Sequence, residues 1–181
     1  GLLLQALFRN PLAGPEVLGV NSGAGLGVAL VMLLAGGITS FGLGGYLAVL
    51  GGAFGGALFV IMIILLLATL LRNNMFLLIA GVAVSYMTSS AITMLNYFST
   101  AEGVHSYMVW GMGSFGGVTM QQMPFFASVS LLLLFVSLLM AKPLNAMLLG
   151  DSYAVNLGVN VKAVRATALC VTGLLTAVVT A

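Results

Sequence analysis

Long apolar stretches without charge alternate with short polar segments along this chain. Residues 17–71 contain no Lys, Arg, Asp or Glu, which leaves room for two membrane spans of about 20 residues with a turn between them. The glycine-rich stretch 36–45 is the predicted turn, because glycine clusters interrupt helices. Applied to the whole chain, the pattern predicts the end of one helix at 1–8 and five spans at about 21–36, 46–71, 76–97, 124–140 and 166–181.

The composition narrows the class of protein. Hydrophobic residues make up 61% of the 181 residues and charged residues only 4%, whereas soluble domains carry about 25% charged residues. This excludes a soluble domain, a disordered chain and a nucleic-acid-binding protein. We therefore expect an all-α polytopic membrane protein. Both ends of the sequence lie in apolar runs, and no signal-peptide pattern precedes the first one, so we expect an interior fragment of a longer protein.

The positions of the five basic residues predict the orientation in the membrane. Arg9 lies in the first connection between predicted helices and Arg72 in the third, and the fifth contains Lys142, Lys162 and Arg165. The second and fourth connections contain no Lys or Arg. Because basic residues accumulate on the cytoplasmic side, the odd-numbered connections are predicted to be cytoplasmic.

One predicted span, 76–97, carries a polar stripe. At about 100° per residue, five polar side chains fall on one broad face: Ser85, Thr88, Ser89, Thr93 and Asn96. Such a stripe lines a polar path through the membrane, or its hydroxyls bond to the backbone of their own helix and to neighbouring helices. The sequence pattern leaves both interpretations open. No Asp, Glu, Lys, Arg or His lies inside a predicted span, so a proton relay is not expected.

Small residues at helix-packing spacing occur in three pairs. These are Gly23 with Gly27, Gly51 with Gly55, and Gly52 with Gly56. Glycines four residues apart let membrane helices approach closely. We expect packing within the bundle, with a seam between two copies of the chain as the alternative.

The segment 104–112 follows the polar span on the predicted outer side. It contains Tyr107 and Trp110, and both residue types favour the interface between membrane and water. We predict a short interfacial helix there. It forms part of a pore vestibule or serves as a plain aromatic anchor.

Motifs for enzymatic chemistry are not found in the sequence. The run 113–116 resembles a serine-hydrolase elbow, but Met112 stands where the motif G-x-S-x-G needs its first glycine. His105 is the single histidine, Cys170 the single cysteine, and no residues have metal-ligand spacing. No phosphate-binding motif G-x-x-x-x-G-K-[ST] is present. We therefore expect neither catalytic nor metal-binding residues, and any ATP hydrolysis is expected in another chain.

The predicted cytoplasmic segment 142–159 favours two short helices. The first covers Asn145 to Leu149 and breaks at Gly150. Asp151 or Ser152 is predicted to cap the second, which ends at Gly158. Two short amphipathic helices at a membrane surface suit the docking of a partner; a solvated connection is the alternative.

The chain resembles the FecCD-type permeases of ATP-binding-cassette (ABC) importers for iron–siderophore complexes, haem and vitamin B12. The match is collinear and covers the whole sequence. It rests on the blocks 5–13, 14–20, 22–24, 78–83, 110–116, 143–145, 148–151 and 157–159. The specific parts are the Arg-Asn-Pro-Leu-Ala block and the Leu-Gly-Asp block with the Leu-Gly-Val that follows it; the Gly and Leu matches between them are not specific.

The resemblance implies a permease of roughly ten spans in the bacterial cytoplasmic membrane. A second copy would complete a homodimer, an ABC ATPase that binds ATP–Mg would dock at the cytoplasmic face, and a periplasmic or lipoprotein substrate-binding protein would deliver the cargo. The chain itself would bind no cofactor. A ferric siderophore is the expected cargo, with haem and cobalamin as alternatives.

The resemblance also implies roles for individual residues. The polar stripe of span 76–97 would line the translocation path near the dimer axis. A gate region would comprise Arg72, Asn73, Asn74 and Met75. Contacts with the ATPase would come from cytoplasmic coupling helices at about 144–158, through Leu144, Asn145, Leu148, Gly150, Asp151, Leu157 and Gly158. Asp151 stands where many relatives have Glu, a change that we expect to matter little.

Three other classes fit the hydropathy. An ATP-independent secondary transporter or channel is the main rival. An exporter-type ABC permease should lack the Arg-Asn-Pro-Leu-Ala turn that this chain contains. An intramembrane enzyme is the most distant of the three.

Overall fold

A computed structural model describes residues 1–11, 13–34, 43–70, 74–113, 120 and 122–180. All regular structure in these residues is α-helical, as the sequence predicts. The helices are α1 (Leu2–Phe8), α2 (Val20–Leu34), α3 (Leu43–Leu70), α4 (Asn74–Phe98), α5 (Ala101–Gly111), α6 (Met123–Leu139), α7 (Ala141–Leu148), α8 (Asp151–Asn156) and α9 (Val161–Thr180).

Three of the described helices are long and apolar enough to cross a membrane: α3, α4 and α9. A fourth candidate is α6 taken together with α7, although the two are bent by 43° where they meet. The helix α2 is apolar but has only 15 residues. Helix α9 begins at Val161, so Lys162 and Arg165 lie in its first turns and not in the connection predicted from the sequence. The predicted turn at 36–45 lies largely outside the described residues.

Helices α2 and α3 pack backbone to backbone through glycine. A Cβ atom on Gly27 would overlap the carbonyl of Gly52, and one on Gly56 would overlap the carbonyl of Gly23. Both glycine pairs therefore form packing within the bundle, as expected. The pair Gly51 and Gly55 differs, because no described atom lies within 4 Å of a Cβ placed on either residue.

Helix α9 completes the core by packing on α3 and α2. A Cβ on Gly173 would overlap the end of the Ile61 side chain, and Val20 lies within 3.5 Å of the same position. Ile61, Val20 and Leu169 are buried there. Cys170 on α9 is partly buried and packs against this core. The core thus joins the start of α2 to the C-terminal half of α3 and the middle of α9.

The connection between α1 and α2 enters the bundle. Ala13 and Leu18 are fully buried, and Gly19 turns the chain with a φ of +74°. The turn lies against α4, where a Cβ on Gly81 would come within 2.6 Å of the Val17 carbonyl. At about 1.5 Å per residue, Gly81 lies roughly 10 Å along α4 from its first residue. Ala13 and Leu18 therefore pack among the helices, while Pro11 and Glu16 of the same connection are exposed.

Helix α5 confirms the predicted short helix at 104–112 and begins three residues earlier. The hydroxyl of Thr100 caps it by accepting a hydrogen bond from the backbone of Gly103 at 3.2 Å. Tyr107 and Trp110 stack with their ring centroids 5.5 Å apart. The Ser99 hydroxyl, just before α5, donates to the carbonyl of Leu33 at 3.0 Å. These contacts tie α5 to the end of α2.

Candidate coupling site and translocation face

The helices α7 and α8 form a bent pair at one end of the bundle. Gly150 separates them with a φ of +132°, which only glycine adopts readily. Leu144, Met147 and Ala154 are buried and anchor the pair to the core. The prediction that Asp151 or Ser152 caps the second helix was wrong, because Gly150 is the N-cap and no side chain bonds there.

Asp151 instead makes ion pairs with two arginines from distant parts of the chain. Its Oδ1 accepts from Arg9 Nη2 at 2.6 Å, and its Oδ2 lies 3.5 Å from Arg165 Nη2. Arg9 also donates from Nε to the carbonyl of Met147 at 2.9 Å. Arg9 therefore holds both the last turn of α7 and the first residue of α8. We call Arg9, Asp151 and Arg165 the ion-pair cluster.

Arg9 reaches this position through an unusual backbone conformation. It ends α1 in the left-handed region, with φ 49° and ψ 37°. Among the described residues it is the one non-glycine residue with a positive φ. A non-glycine residue there costs on the order of 1 kcal/mol. The side-chain contacts with Met147 and Asp151 offset this cost, because a charge-assisted hydrogen bond is among the stronger kinds.

An apolar surface lies on the outside of α7 and α8. It consists of side chains that are all about half exposed or more, and we call it the coupling surface: Leu148, Leu149, Tyr153, Val155 and Leu157. Leu149 is the most exposed of them, at 70%. Two of the predicted contact residues, Leu148 and Leu157, belong to it. Leu144 is 3% exposed and supports α7 from within. Asn145 and Gly158 are exposed.

The polar stripe of α4 straddles the edge between the buried and the exposed face of that helix. Thr88 is buried, and its Oγ1 lies 3.0 Å from the Val84 carbonyl and 2.9 Å from that of Ser85. The Ser85 hydroxyl lies 3.1 Å from the carbonyl of Gly81 and 3.3 Å from that of Glu16. These two hydroxyls therefore serve packing within the chain, as in the second interpretation of the stripe.

The other members of the stripe differ. Ser89 and Thr93 are exposed, and Thr93 bonds back to the Ser89 carbonyl at 3.0 Å. The Oδ1 atom of Asn96 is buried without a hydrogen-bond partner among the described residues. The stripe thus divides into an inner part that holds α4 against the turn before α2 and an outer part that faces away from the chain.

The outer face of α4 is the least covered helical surface of the membrane-length helices. Only 17% of its apolar window is buried, against 39% for α3 and for α9. Besides Ser89 and Thr93, the face carries large side chains: Ile79, Tyr86, Met87, Met94 and Tyr97. Of the predicted gate region, Arg72 and Asn73 lie outside the described residues. Asn74 begins α4, and Met75 is exposed.

Other residues considered in the sequence take no part in these two surfaces. His105 is exposed on α5, and Ser114 of the elbow-like run lies outside the described residues. Among the residues that the structure describes, no three His, Cys, Asp or Glu side chains come together to hold a metal ion.

Sequence reasoning missed the partners of Asp151. It placed Arg9 and Asp151 in the two most specific blocks of the resemblance but did not connect them. The structure brings these blocks together through the ion pair. It also brings the block 14–20 against the block 78–83, through Gly19 and Gly81. Blocks of the resemblance that lie far apart in sequence were the available signal for both contacts, and only the first contact joins two specific blocks.

Comparison with known proteins gives consistent relatives. The sequence model of the FecCD transport family matches residues 1–181. The chain is 37% identical to the vitamin B12 import system permease protein BtuC of Klebsiella pneumoniae over 158 residues, which cover 87% of this chain and 46% of the relative. It is 35% identical to the hemin transport system permease protein HmuU of Yersinia pestis over 179 residues, or 97% and 52% of the two chains.

A solved structure supports the same grouping. It is described as an inward-facing conformation of a protein assigned to the metal-chelate type of ABC transporter, and it superposes with a TM-score of 0.82 at 28% identity. The match covers 98% of this chain and 55% of that one. The chain therefore spans about half the length of the relatives that it matches. The all-α polytopic class predicted from the sequence is confirmed.

Proposed function

Because the chain belongs to the FecCD transport family, we propose that it forms part of the transmembrane permease of an ABC importer in the bacterial cytoplasmic membrane. The match of the family across residues 1–181 is the observation that carries the proposal. The cargo in this proposal is a metal chelate, a ferric siderophore first, with haem and cobalamin as alternatives. ATP hydrolysis belongs to a separate chain.

The coupling surface is the proposed docking site of the ATPase. It combines exposed apolar side chains, such as Leu149 and Tyr153, with helices that are anchored by buried Leu144 and Met147. Exposed apolar groups at the end of a bundle mark a protein interface when polar and charged residues surround them. Lys142 and Asp151 are exposed at this end. A rigid, anchored pair of helices can move as a unit when the ATPase changes shape.

The outer face of α4 is the proposed wall of the translocation path. Ser89 and Thr93 offer hydroxyls, and Met87 and Met94 offer soft apolar surface, so the wall carries no charge that would hold a bulky chelate tightly. The low burial of α4 supports a second copy of the chain as the neighbour that completes the path. The region 72–75 is the proposed cytoplasmic gate.

Transport in this proposal follows alternating access. A substrate-binding protein delivers the chelate to the outer mouth, near α5. ATP binding and hydrolysis in the partner then displace α7 and α8, which rocks the bundle and opens the path to one side at a time.

A panel of cargoes tests the proposal. The full-length permease would be reconstituted with its ATPase and binding protein in ATP-loaded proteoliposomes, and uptake of ferric siderophore, haem and cobalamin compared. We expect uptake of the ferric siderophore. Uptake of haem or cobalamin alone would change the proposed cargo but keep the proposed class of transporter. Uptake of none of the three would contradict the proposed importer of metal chelates.

A further inference from the structure

The ion-pair cluster adds charged contacts between three helices, α1, α8 and α9, whose buried side chains already share one core. Arg9 ends α1, Asp151 begins α8, and Arg165 lies in the second turn of α9. Between α7 and α8 the backbone turns at Gly150, where no Cβ restrains it and no described atom lies within 4 Å of the Cβ position. Buried Ala154 anchors α8 to the core, and the side-chain contacts of Arg9 across the turn further restrain α8 from pivoting at Gly150.

The two ion pairs of the cluster differ in length. Arg9 makes a 2.6 Å contact with Asp151 and a second bond to Met147, so it grips both sides of the turn at Gly150. Arg165 reaches Asp151 at 3.5 Å, and its buried Nε has no partner among the described residues. The link from the coupling pair to α1 is therefore the tighter one, and the link to α9 is looser.

We propose that Arg9 is a positioning residue that makes α7 and α8 one rigid lever and fastens this lever to α1, so that displacement of the coupling surface reaches the membrane helices. This inference rests on the proposed function as an ATP-driven permease. The Arg9 side chain is 41% exposed but is not one of the side chains that form the coupling surface, so it transmits the displacement without itself forming part of that surface. The pair with Asp151 stays closed throughout the transport cycle.

The turn that precedes α2 connects the lever to α4, the helix that carries the proposed translocation face. Arg9 begins the connection whose later residues, Val17 to Gly19, pack against Gly81 and Ser85 of α4. A pull on Arg9 is therefore applied to a segment that packs on the inner side of α4, the helix whose outer face is the proposed wall of the path. Packed segments of this kind transmit displacement because they cannot deform continuously.

Substitution of the arginines provides the first arm of the test. In the full-length permease with its ATPase, Arg9→Met should lower the amount of cargo moved per ATP hydrolysed by at least about fivefold, the lower end of typical coupling between sites. Copurification of the ATPase should be unchanged. Arg165→Met should have a smaller effect. Lys162→Met removes a charge one turn before Arg165 on α9 without breaking an ion pair of the described residues. It should leave the amount of cargo moved per ATP unchanged.

Cross-linking provides the second arm and separates transmission from folding. Arg9→Cys and Asp151→Cys would be combined with Cys170→Ala in a full-length protein without other cysteines. The uncross-linked variant should be poorly coupled, and a short bis-maleimide that joins positions 9 and 151 should restore transport per ATP. Transport that is not restored by the cross-link, or that falls further, would overturn the proposal.

The outcomes distinguish this inference from the function on which it rests. Failure of the unaltered complex to use ATP for uptake would refute the proposed function, and the inference with it. Normal ATP-driven uptake by the unaltered complex, together with an unchanged ratio in Arg9→Met, would refute the inference alone.

Discussion

Gly27 of α2 and Gly52 of α3 meet backbone to backbone, so closely that a Cβ on Gly27 would overlap the Gly52 carbonyl. Gly23 and Gly56 repeat the contact one turn away. Membrane helices gain little from the hydrophobic effect between themselves, because lipid is as apolar as their side chains. Close van der Waals contact through glycine is therefore a main source of stability for this pair of helices.

We predict that Gly27→Ala destabilises the protein. The added methyl group has to push the two helices apart, and overpacking of this kind costs about 1–3 kcal/mol. Gly51→Ala is the matched control, because it adds the same group to α3 where no described atom lies within 4 Å. Thermal unfolding of the full-length protein in detergent would measure both. Equal melting temperatures for the two variants would contradict the packing described here.

We predict that Leu149→Glu weakens binding of the ATPase. Leu149 is 70% exposed on the coupling surface, so the substitution leaves the fold intact but places a charge in an apolar interface. The control is Met112→Glu, which is 83% exposed at the end of α5 on the predicted outer side. Copurification with a tagged ATPase measures the effect, and loss of binding in the control but not in Leu149→Glu would reverse the assigned orientation.

We predict that Asp151→Lys lowers substrate-stimulated ATP hydrolysis and leaves the protein in the membrane. The substitution places a third cation between Arg9 and Arg165. Because the carboxylate is about half exposed, solvent screens the repulsion and the fold survives. Asp151→Glu keeps the charge, so the partner ATPase should hydrolyse ATP at the normal rate in the complex with this variant. The measurement is ATPase activity in proteoliposomes with and without loaded binding protein; equal stimulation in Asp151→Lys and the unaltered protein would count against this role.

We predict that cysteines at Ser89 and Thr93 react with a water-soluble maleimide from within the translocation path. Both side chains are exposed on the outer face of α4. Thr88→Cys is the control within the same helix, since Thr88 is 6% exposed and packs into the chain. Met94→Cys should react as well, because Met94 is exposed on the same outer face. Labelling of position 88 in preference to 89 and 93 would contradict this placement of α4.

The helices and their order were accessible from the sequence because each depends on local composition. An uncharged apolar run must form a helix in a membrane, since its backbone groups have no water to bond. The break at Gly150 and the glycine pairs of α2 and α3 were likewise predictable from the sequence, because each requires only the absence of a side chain.

Contacts between distant segments were not accessible in this way. The capping role expected for Asp151 was wrong because the rule is local, whereas the ion pairs come from residues 142 positions before it and 14 positions after it. The depth of the α1–α2 connection was also missed. Its prolines indicate a turn, but burial of Leu18 depends on the space that Gly81 leaves in α4. The division of the polar stripe follows from the same contact.

The dependence of uptake on ATP tests the proposed function as an ABC importer most directly. The full-length permease, its ATPase and its binding protein would be reconstituted in proteoliposomes, and uptake of the chelate compared with ATP inside, with a non-hydrolysable analogue inside, and with no nucleotide. We expect binding-protein-dependent uptake only in the proteoliposomes that contain ATP. Equal uptake under all three conditions would contradict the proposed function and favour an ATP-independent transporter or channel.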